Sequence, residues 1–307
     1  MAARRGGSLV MDFRWLALGI ALGGSTASPL LAADDRLALA PSSPWTIDYA
    51  ADSCALRRTF GSGKEQAFLE MRRFAPGWGL QTTIASSRAG ARFDRNVRYR
   101  FTDDAEWQYP GLGLAVTLDN GLKGAIVEPP LVELPELEAI EDDAERAAYF
   151  SAIDFRAIER QQAAAIDSLS VRGLGREFTL QLGKLEAPIG ALQDCVDELT
   201  THWNIDVEAH KTLTRKATPV NWRAGSRMLD YPPRMAREGM PGLVNVRLAI
   251  DETGKITGCS IQMPLSDPAF EESSCDDIQH AFDFDPALDK DGKPIASYWI
   301  TRVVFRL

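Results

Sequence analysis

The chain has few of the residues that usually carry catalysis or bind metals. Only three histidines occur among its 307 residues, His202, His210 and His280, and none forms a close pair with metal-ligand spacing. The sequence also lacks a C-x-x-C pair, a G-x-S-x-G motif and a phosphate-binding glycine loop. It therefore predicts a protein that is not an enzyme, with no catalytic residue, no metal site and no cofactor.

Long apolar runs are also missing. Near the start, Arg14 precedes an apolar run at residues 15–22, and small residues follow over 25–33, an order typical of a cleaved export signal. Crossing a bilayer takes about 20 apolar residues. We therefore predict a signal peptide at residues 1–33, cut after Ala32 or Ala33, with Met11 as an alternative start. An uncleaved anchor in the inner membrane is the other interpretation.

Positive charge is scarce. The chain has 34 basic and 43 acidic residues and a formal net charge of −9. Nucleic acids and anionic lipid surfaces require a basic face, so we expect no nucleic-acid partner. Once the signal is cleaved, we also expect no integral membrane span. The length predicts two domains.

The first domain is predicted at residues 40–205. Alternating apolar residues or strand-forming composition predict strands at 45–49, 66–71 and 178–182, and a strand pair at 97–101 and 115–118. Alanine and glutamate favour a helix over 142–165, and Pro188 suits the first turn of a helix that ends near Trp203. These elements predict an α+β fold with an antiparallel sheet and helices. The polar stretch 206–227 is predicted to be a linker.

The last part of the chain shows the clearest pattern. Residues 242–250 alternate, with Val244, Val246 and Leu248 on one face and Asn245 and Arg247 on the other, as in a half-buried strand. The turn at 251–254 ends in a glycine that can adopt positive φ, which predicts a hairpin. A helix, a second turn at 289–292 and a final strand follow.

This order of elements resembles the C-terminal domain of TonB-type energy transducers over residues 228–307. The family pattern has a Y-P-x-x-A start, a G-x-V strand, a D-x-x-G hairpin, an F-x-P-A segment, a G-x-P turn and a last strand. The residues that carry the resemblance are Tyr231, Pro232, Ala236, Gly242, Val244, Asp251, Gly254, Phe284, Pro286, Ala287, Gly292 and Pro294.

The resemblance implies a small antiparallel sheet with two helices and a role outside the cytoplasm. In the family, the domain captures a short extended peptide of an outer-membrane receptor by adding it to a sheet edge, where main-chain hydrogen bonds supply the affinity. We expect one face of the last strand, with Trp299, Val303 and Phe305, to be core. The predicted peptide-binding edge consists of Tyr298, Trp299, Ile300, Thr301, Arg302 and Val303.

Four cysteines suit an oxidising compartment. Cys259 alternates with Ile261 on the second strand of the hairpin, and Cys275 shares a helical face with Ile278. Two inward-facing cysteines on neighbouring elements predict a bridge between Cys259 and Cys275. By exclusion, Cys54 pairs with Cys195. The alternative is that all four are small buried core residues.

Four functions are compatible with these observations. The preferred one is an exported periplasmic protein that binds a receptor peptide or another envelope protein, in or beside outer-membrane transport. A complete membrane-anchored energy transducer is less consistent, because the proline-containing stretch at 129–135 is far too short to span a periplasm at about 3.1 Å per residue. The third is an exported hydrolase whose site lies in the first domain. The fourth is a structural partner that binds the cell wall or another periplasmic protein through the first domain.

The signal prediction can be tested on protein recovered from the periplasmic fraction. We expect the N-terminus of that protein, read by mass spectrometry, to lie at Ala33 or Asp34, because the small residues before it suit the signal peptidase. Protein that keeps residues 14–33 and stays with the inner membrane would instead support the anchored transducer.

Overall fold

The computed structural model describes residues 37–77, 79–90, 97–109, 113–129, 153–262 and 267–306, together with some positions between 131 and 149. These residues belong to one compact unit that spans Arg36–Leu307. The predicted signal peptide and Met11 lie outside the described residues, as does most of the predicted helix before residue 153.

A six-stranded antiparallel sheet forms the centre of the N-terminal half. Its order is β2-β3-β4-β5-β8-β7, so the first four strands follow one another as a meander. The bounds are β2 Thr46–Ala50, β3 Ser53–Phe60, β4 Ala67–Arg73, β5 Gln81–Ser86, β7 Gly113–Thr117 and β8 Lys123–Val127. Residues that alternate along these strands, such as Leu56, Leu69 and Ile84, are fully buried on one face.

A second sheet of four strands packs against that buried face. Its order is β1-β10-β9-β6, with β1 parallel to β10 and the other pairs antiparallel. The bounds are β1 Leu37–Leu39, β6 Arg98–Phe101, β9 Ser168–Arg172 and β10 Phe178–Gln181. The prediction that 97–101 pairs with 115–118 is wrong, because β6 pairs with β9 and β7 pairs with β8.

Two helices of the N-terminal half have their bounds within the described residues, α1 at Phe155–Ala163 and α2 at Glu186–Thr201. Asp154 caps α1 by accepting a hydrogen bond from the Ala157 amide. The Arg73 guanidinium pairs with both oxygens of Glu159, and Gln193 of α2 also donates to Glu159 at 2.8 Å. All three side chains are buried. This ion pair therefore fixes α1 and α2 to the end of β4.

The C-terminal part has a three-stranded antiparallel sheet in the order β13-β12-β17, which confirms the α+β fold class. The elements are α5 Pro233–Glu238, β12 Gly242–Ile250, β13 Ile256–Gln262, α6 Pro268–Ala281, β14 Phe284–Asp285, β15 Ala287–Leu288, β16 Pro294–Ile295 and β17 Ser297–Phe305. Gly254 has φ of +87°, as the predicted hairpin between β12 and β13 requires. Asp251 closes that turn through bonds from the Thr253 and Lys255 amides.

One face of this sheet packs on α5 and α6. Val246 and Leu248 of β12 are fully buried there together with Phe270 and Ile278 of α6. Burial of a side chain such as Phe270 stabilises the fold by about 1.5–3 kcal/mol. The alternation predicted from sequence thus describes this face correctly.

Both cysteine pairs predicted from sequence lie at disulfide-bonding distance. The Cα atoms of Cys54 and Cys195 are 6.1 Å apart and join β3 to α2. Those of Cys259 and Cys275 are 5.9 Å apart and join β13 to α6. Both separations lie in the normal range for a bridge.

Residues 206–227, predicted as a linker, contain several short elements, the last of which is a 3-10 helix at Ser226–Met228. The others are α3 Val207–Lys211, β11 Thr218–Pro219 and α4 Trp222–Gly225. β11 pairs with β14, and Ala217 is buried in the C-terminal core. This segment therefore packs against the C-terminal sheet and its helix instead of running free between two domains.

The second face of the C-terminal sheet packs against the N-terminal half. Leu243 contacts Ile126 of β8, and Ile300 contacts Phe74 and Ala75 just after β4. Three buried amides join the two sheets: Asn245 donates to Gln81 at 3.1 Å, and Gln262 donates to the carbonyls of Asp52 and Phe74 at 3.0 and 3.2 Å. Strand ends expose main-chain carbonyls, and Gln262 satisfies two of them.

Gln262→Ala tests the strength of this contact. We expect the free energy of unfolding to fall by about 1–3 kcal/mol, because the carbonyls of Asp52 and Phe74 lose their donor inside the protein. Urea denaturation of the full chain measures the change. The matched control is Gln279→Ala, which removes an exposed amide that donates to Cys275 and should cost less than half as much. Equal losses would contradict a special role for the buried amides.

Candidate functional site

The predicted peptide-binding edge lies on β17. This strand pairs with β12 over its whole length, from Ser297 opposite Ile250 to Phe305 opposite Gly242. Among the described residues no strand pairs with its other side, so β17 is an outer strand of its sheet. The main-chain groups on that side therefore have no strand partner among the described residues.

The six predicted edge residues have different surroundings. Tyr298, Trp299 and Ile300 line a cleft, whereas Thr301 and Val303 are buried. Arg302 pairs with Glu128 and donates to Asn245 at 2.9 Å. Burial lowers the pKa of Arg302 to about 10. Alternation along the strand divides the six residues: Tyr298, Ile300 and Arg302 lie on the face toward the N-terminal half, and Trp299, Thr301 and Val303 lie on the face that packs on the helices.

The cleft has a volume of about 960 Å³ and lies beside the first half of β17. Its walls come from the start of α1, the second half of α2, α3, the segment before β11, and the chain after β4. A cleft of this size is in the range of natural ligand sites. Its polar and charged lining includes Arg156, Arg160, Asp197, His210, Lys211, Lys216 and Tyr298.

An aromatic group forms the wall of the cleft next to β17. The Tyr298 ring packs edge-on against Trp203, with centroids 5.4 Å apart, and stacks on His210 at 5.8 Å. The Arg247 guanidinium lies over the Trp203 ring, 4.4 Å from the ring centroid. Burial raises the pKa of the Tyr298 hydroxyl. These contacts hold the beginning of β17 rigidly against α2 and α3.

The charged side chains of the cleft fall into two groups. Arg156 pairs with Asp194 and Asp197 of α2, and Lys211 donates to Glu208 at 2.8 Å. By contrast, the side chains of Arg160 and Lys216 have no ion pair within the part of the chain that the structure describes. Surrounding protein lowers the pKa of Lys216 although the side chain still reaches solvent along the cleft.

His210 and Ser297 form a polar contact at the back of the cleft. The His210 Nε2 atom lies 2.9 Å from the Ser297 Oγ atom, and Nδ1 lies 2.8 Å from the carbonyl of Asp206. Because that carbonyl can only accept, neutral His210 donates from Nδ1 and accepts the Ser297 hydroxyl at Nε2. Burial lowers the pKa of His210, and the Asp206 carbonyl and carboxylate oppose this shift.

This contact resembles the nucleophile and base of a hydrolase but lacks other parts of one. Ser297 is only 4% exposed, so a substrate carbonyl would have little access to its hydroxyl. The bond to a carbonyl four residues earlier in the helix is also made by the exposed His280 with Asp276, so it is an ordinary helical contact. The geometry therefore favours a structural role, in which His210 attaches α3 to the start of β17.

Neither a metal site nor a membrane-spanning helix occurs in the described residues. No group of three or more histidine, cysteine or carboxylate side chains is placed to hold a metal ion within those ranges. No helix in the same ranges is long and apolar enough to cross a bilayer.

Sequence reasoning found the strand but missed the cleft. Arg160 is on α1, Lys216 precedes β11 and Tyr298 is on β17, so no local motif connects them. The only available signal was the stretch 206–227, whose polar and basic composition indicated a linker. Its packing on β17 makes it a wall of the site.

The comparison with known families agrees with the resemblance seen in the sequence. Residues 227–307 match the family model of the Gram-negative bacterial TonB protein C-terminal domain. The match covers about a quarter of the chain and includes β17, but not α1, α2 or α3. No curated protein matches the chain.

The lowered pKa of His210 predicts a pH dependence of stability. Because the folded protein binds fewer protons at His210 than the unfolded chain does, stability should be full above the ordinary pKa of 6.5 and fall as the pH drops from 6.5 through the lowered value. We expect His210→Gln to weaken this fall when urea midpoints are compared between about pH 7.5 and about pH 5. His280→Gln, an exposed helical histidine, is the control and should leave the fall unchanged. An identical pH profile for His210→Gln and the wild type would contradict the assignment.

Proposed function

We propose that this protein is an exported, non-enzymatic component of the bacterial envelope that binds an extended segment of a partner protein along β17. The observation that carries the proposal is that β17 is an outer strand among the described residues, in a domain that matches the TonB C-terminal family and beside an open cleft. The partner is an outer-membrane receptor peptide or another envelope protein.

Strand addition suits this site for a physical reason. An outer strand presents alternating N–H and C=O groups, and a guest strand gains affinity by pairing with them. Side chains of the guest would alternate between the cleft and the opposite side of the sheet. The aromatic contacts of Tyr298 keep this part of β17 in place before binding, which reduces the ordering cost.

The contact between the sheets argues for an accessory role over force transmission. A transducer of the TonB type needs its terminal domain at the end of a long spacer. Here Leu243, Asn245 and Gln262 attach the C-terminal sheet to the N-terminal half. Residues 207–225 pack against the C-terminal sheet and its helix. We propose that the N-terminal half serves as a wall of the binding site.

The periplasm is the compartment that fits this proposal. Two cysteine pairs at bonding distance suit an oxidising environment, and the sequence predicts an export signal. A bridge of 141 residues' separation, such as Cys54–Cys195, would stabilise the fold by about 4–5 kcal/mol in the chain-entropy model. Such a contribution would be lost in a reducing cytoplasm.

Amide hydrogen exchange of the full chain tests the binding mode. We expect that synthetic peptides from the periplasmic segments of outer-membrane receptors, when they bind, slow the exchange of alternate amides in β17 over Ser297–Val303, because those amides gain partners. Binding that leaves these amides unprotected, or failure of every peptide to bind, would contradict the proposal.

A cleft-blocking variant provides the matched control. Lys211→Cys, modified with a bulky maleimide, places a group at the cleft wall and should abolish peptide binding. Lys290→Cys carries the same label on the exposed turn before β16 and should bind like the wild type. Deletion of residues 228–307 is a poorer test, because it would expose buried residues such as Gln81 and Phe74.

A further inference from the structure

Trp222 is a large aromatic residue that stays open to solvent although it contacts β17. It is 48% exposed, and Val220 and Met228 in the same short segment are 60% and 55% exposed. Single apolar residues at a surface are ordinary, whereas several from one segment are typical of a contact site. The contacts of Trp222 show which ligand such a site would serve.

The Trp222 ring packs against the outer strand of the C-terminal sheet. Its centroid lies 5.8 Å from that of Trp299 on β17 and 5.5 Å from that of Phe282, directly after α6. Trp299 belongs to the face of the sheet that packs on the helices, and it also lines the cleft. Trp222 therefore extends the surface beside β17 on the helix face of the sheet.

Close packing holds Trp222 in this position. A Cβ atom on Gly225 would lie 2.6 Å from the Phe282 ring and 2.8 Å from the Ala281 carbonyl oxygen, so α4 can approach so closely only because residue 225 is a glycine. Asn221, directly before α4, donates to the same Ala281 carbonyl at 2.9 Å. An exposed ring on an anchored segment loses little entropy when a ligand packs on it.

A strand added to the outer side of β17 would place its side chains by the alternation of the sheet. Residues directly opposite each other on neighbouring strands have their side chains on the same face, about 5 Å apart. The guest residue opposite Trp299 would therefore lie on the helix face, where Trp222 is in contact with Trp299. The guest residues before and after it would face the N-terminal half, as Tyr298 and Ile300 do.

We propose that the segment bound along β17 carries an aromatic or large aliphatic residue opposite Trp299, and that this residue packs on the exposed part of Trp222. The inference rests on the proposed function, because main-chain pairing with β17 brings the guest residue to this position. It adds a specificity-determining residue that lies on the opposite face of the strand from Tyr298 and Ile300.

An apolar guest residue fits this surface better than a charged one. Packing it on the indole removes apolar surface of both partners from water, and two aromatic rings gain further from their contact. Arg223 and Arg227 belong to the same segment as Trp222, so a basic guest residue is disfavoured by like-charge repulsion.

The test begins with an alanine scan of the ligand. Every synthetic receptor peptide that binds is altered by replacing each of its residues in turn with alanine, and affinities for the full chain are measured by calorimetry. We expect one aromatic or large aliphatic position whose replacement weakens binding to the wild type about fivefold, because the contact with Trp222 is lost.

Variants of the protein connect that position to Trp222. Trp222→Ala should bind the original peptide and its alanine version with equal affinity, whereas Trp222→Phe should keep most of the preference. Tyr49→Ala is the matched control, because Tyr49 is an aromatic residue of β2 that is 62% exposed, and it should keep the full preference. Unchanged amide exchange in the central strand β12 checks that each variant is folded.

Fluorine NMR tests the same contact without relying on the alanine variant. The full chain is labelled with fluorotryptophan, and the Trp222 signal is the one that Trp222→Phe lacks. We expect this signal to shift when the original peptide binds and to shift much less with the version that has alanine at the selected position. A Trp222 signal that moves equally with both peptides, or with neither, would contradict the contact.

The outcomes separate the two proposals. Peptides that bind and protect β17 but show no preferred apolar position, or a preference that persists in Trp222→Ala, would overturn the inference and leave the proposed function intact. An arginine that binds more tightly than the aromatic residue at the selected position would also overturn it. Failure of all peptides to bind the wild type would overturn both.

Discussion

The contact between the second face of the C-terminal sheet and the end of the six-stranded sheet fixes where β17 and the cleft lie in this protein. Its centre is polar: Gln262 donates to two strand-end carbonyls and Asn245 donates to Gln81. Buried polar groups are costly when unpaired, so such a contact is stable in few arrangements. Apolar packing at Leu243 and Ile300 surrounds these amides. The buried amides fix the orientation of one sheet on the other, and the apolar contacts supply much of the free energy that holds the sheets together.

The cleft is a consequence of that contact. Once the sheet is attached in this way, the open side of β17 lies beside α1, α2 and α3. Each cysteine pair joins elements within one part of the fold: Cys54 and Cys195 lie on β3 and α2, and Cys259 and Cys275 lie on β13 and α6. Of these elements, α2 forms a wall of the cleft, whereas β13 and α6 do not line it. A rigid site loses less entropy when an extended ligand binds.

Several strands of the N-terminal half could not be recognised from sequence because their patterns are not those of half-buried strands. All six residues of β5 are buried, including Gln81, Thr82 and Thr83, so the apolar alternation that marks an ordinary strand is absent. β8 is short and contains Gly124, which suggests a turn as readily as a strand. The strands at 98–101 and 113–117 were recognised, but they were predicted to pair with each other. Their true partners, β9 and β8, belong to two different sheets, and the sequence does not show which distant segments pair.

What the sequence determined by itself is local: the alternation of β12 and β17, the glycine turn at Gly254, the likeness to one family over the last quarter of the chain, and the facing of Cys259 toward Cys275. These features follow from periods of two and 3.6 residues and from turn chemistry. The tertiary structure alone decided that Asn245 and Arg247 face another sheet instead of water, that residues 206–227 form a wall, and that Arg160 meets the same cleft as Lys216. Such contacts join residues far apart in the chain. A periodic pattern shows that a strand has a polar face, but it does not show whether another sheet packs on that face.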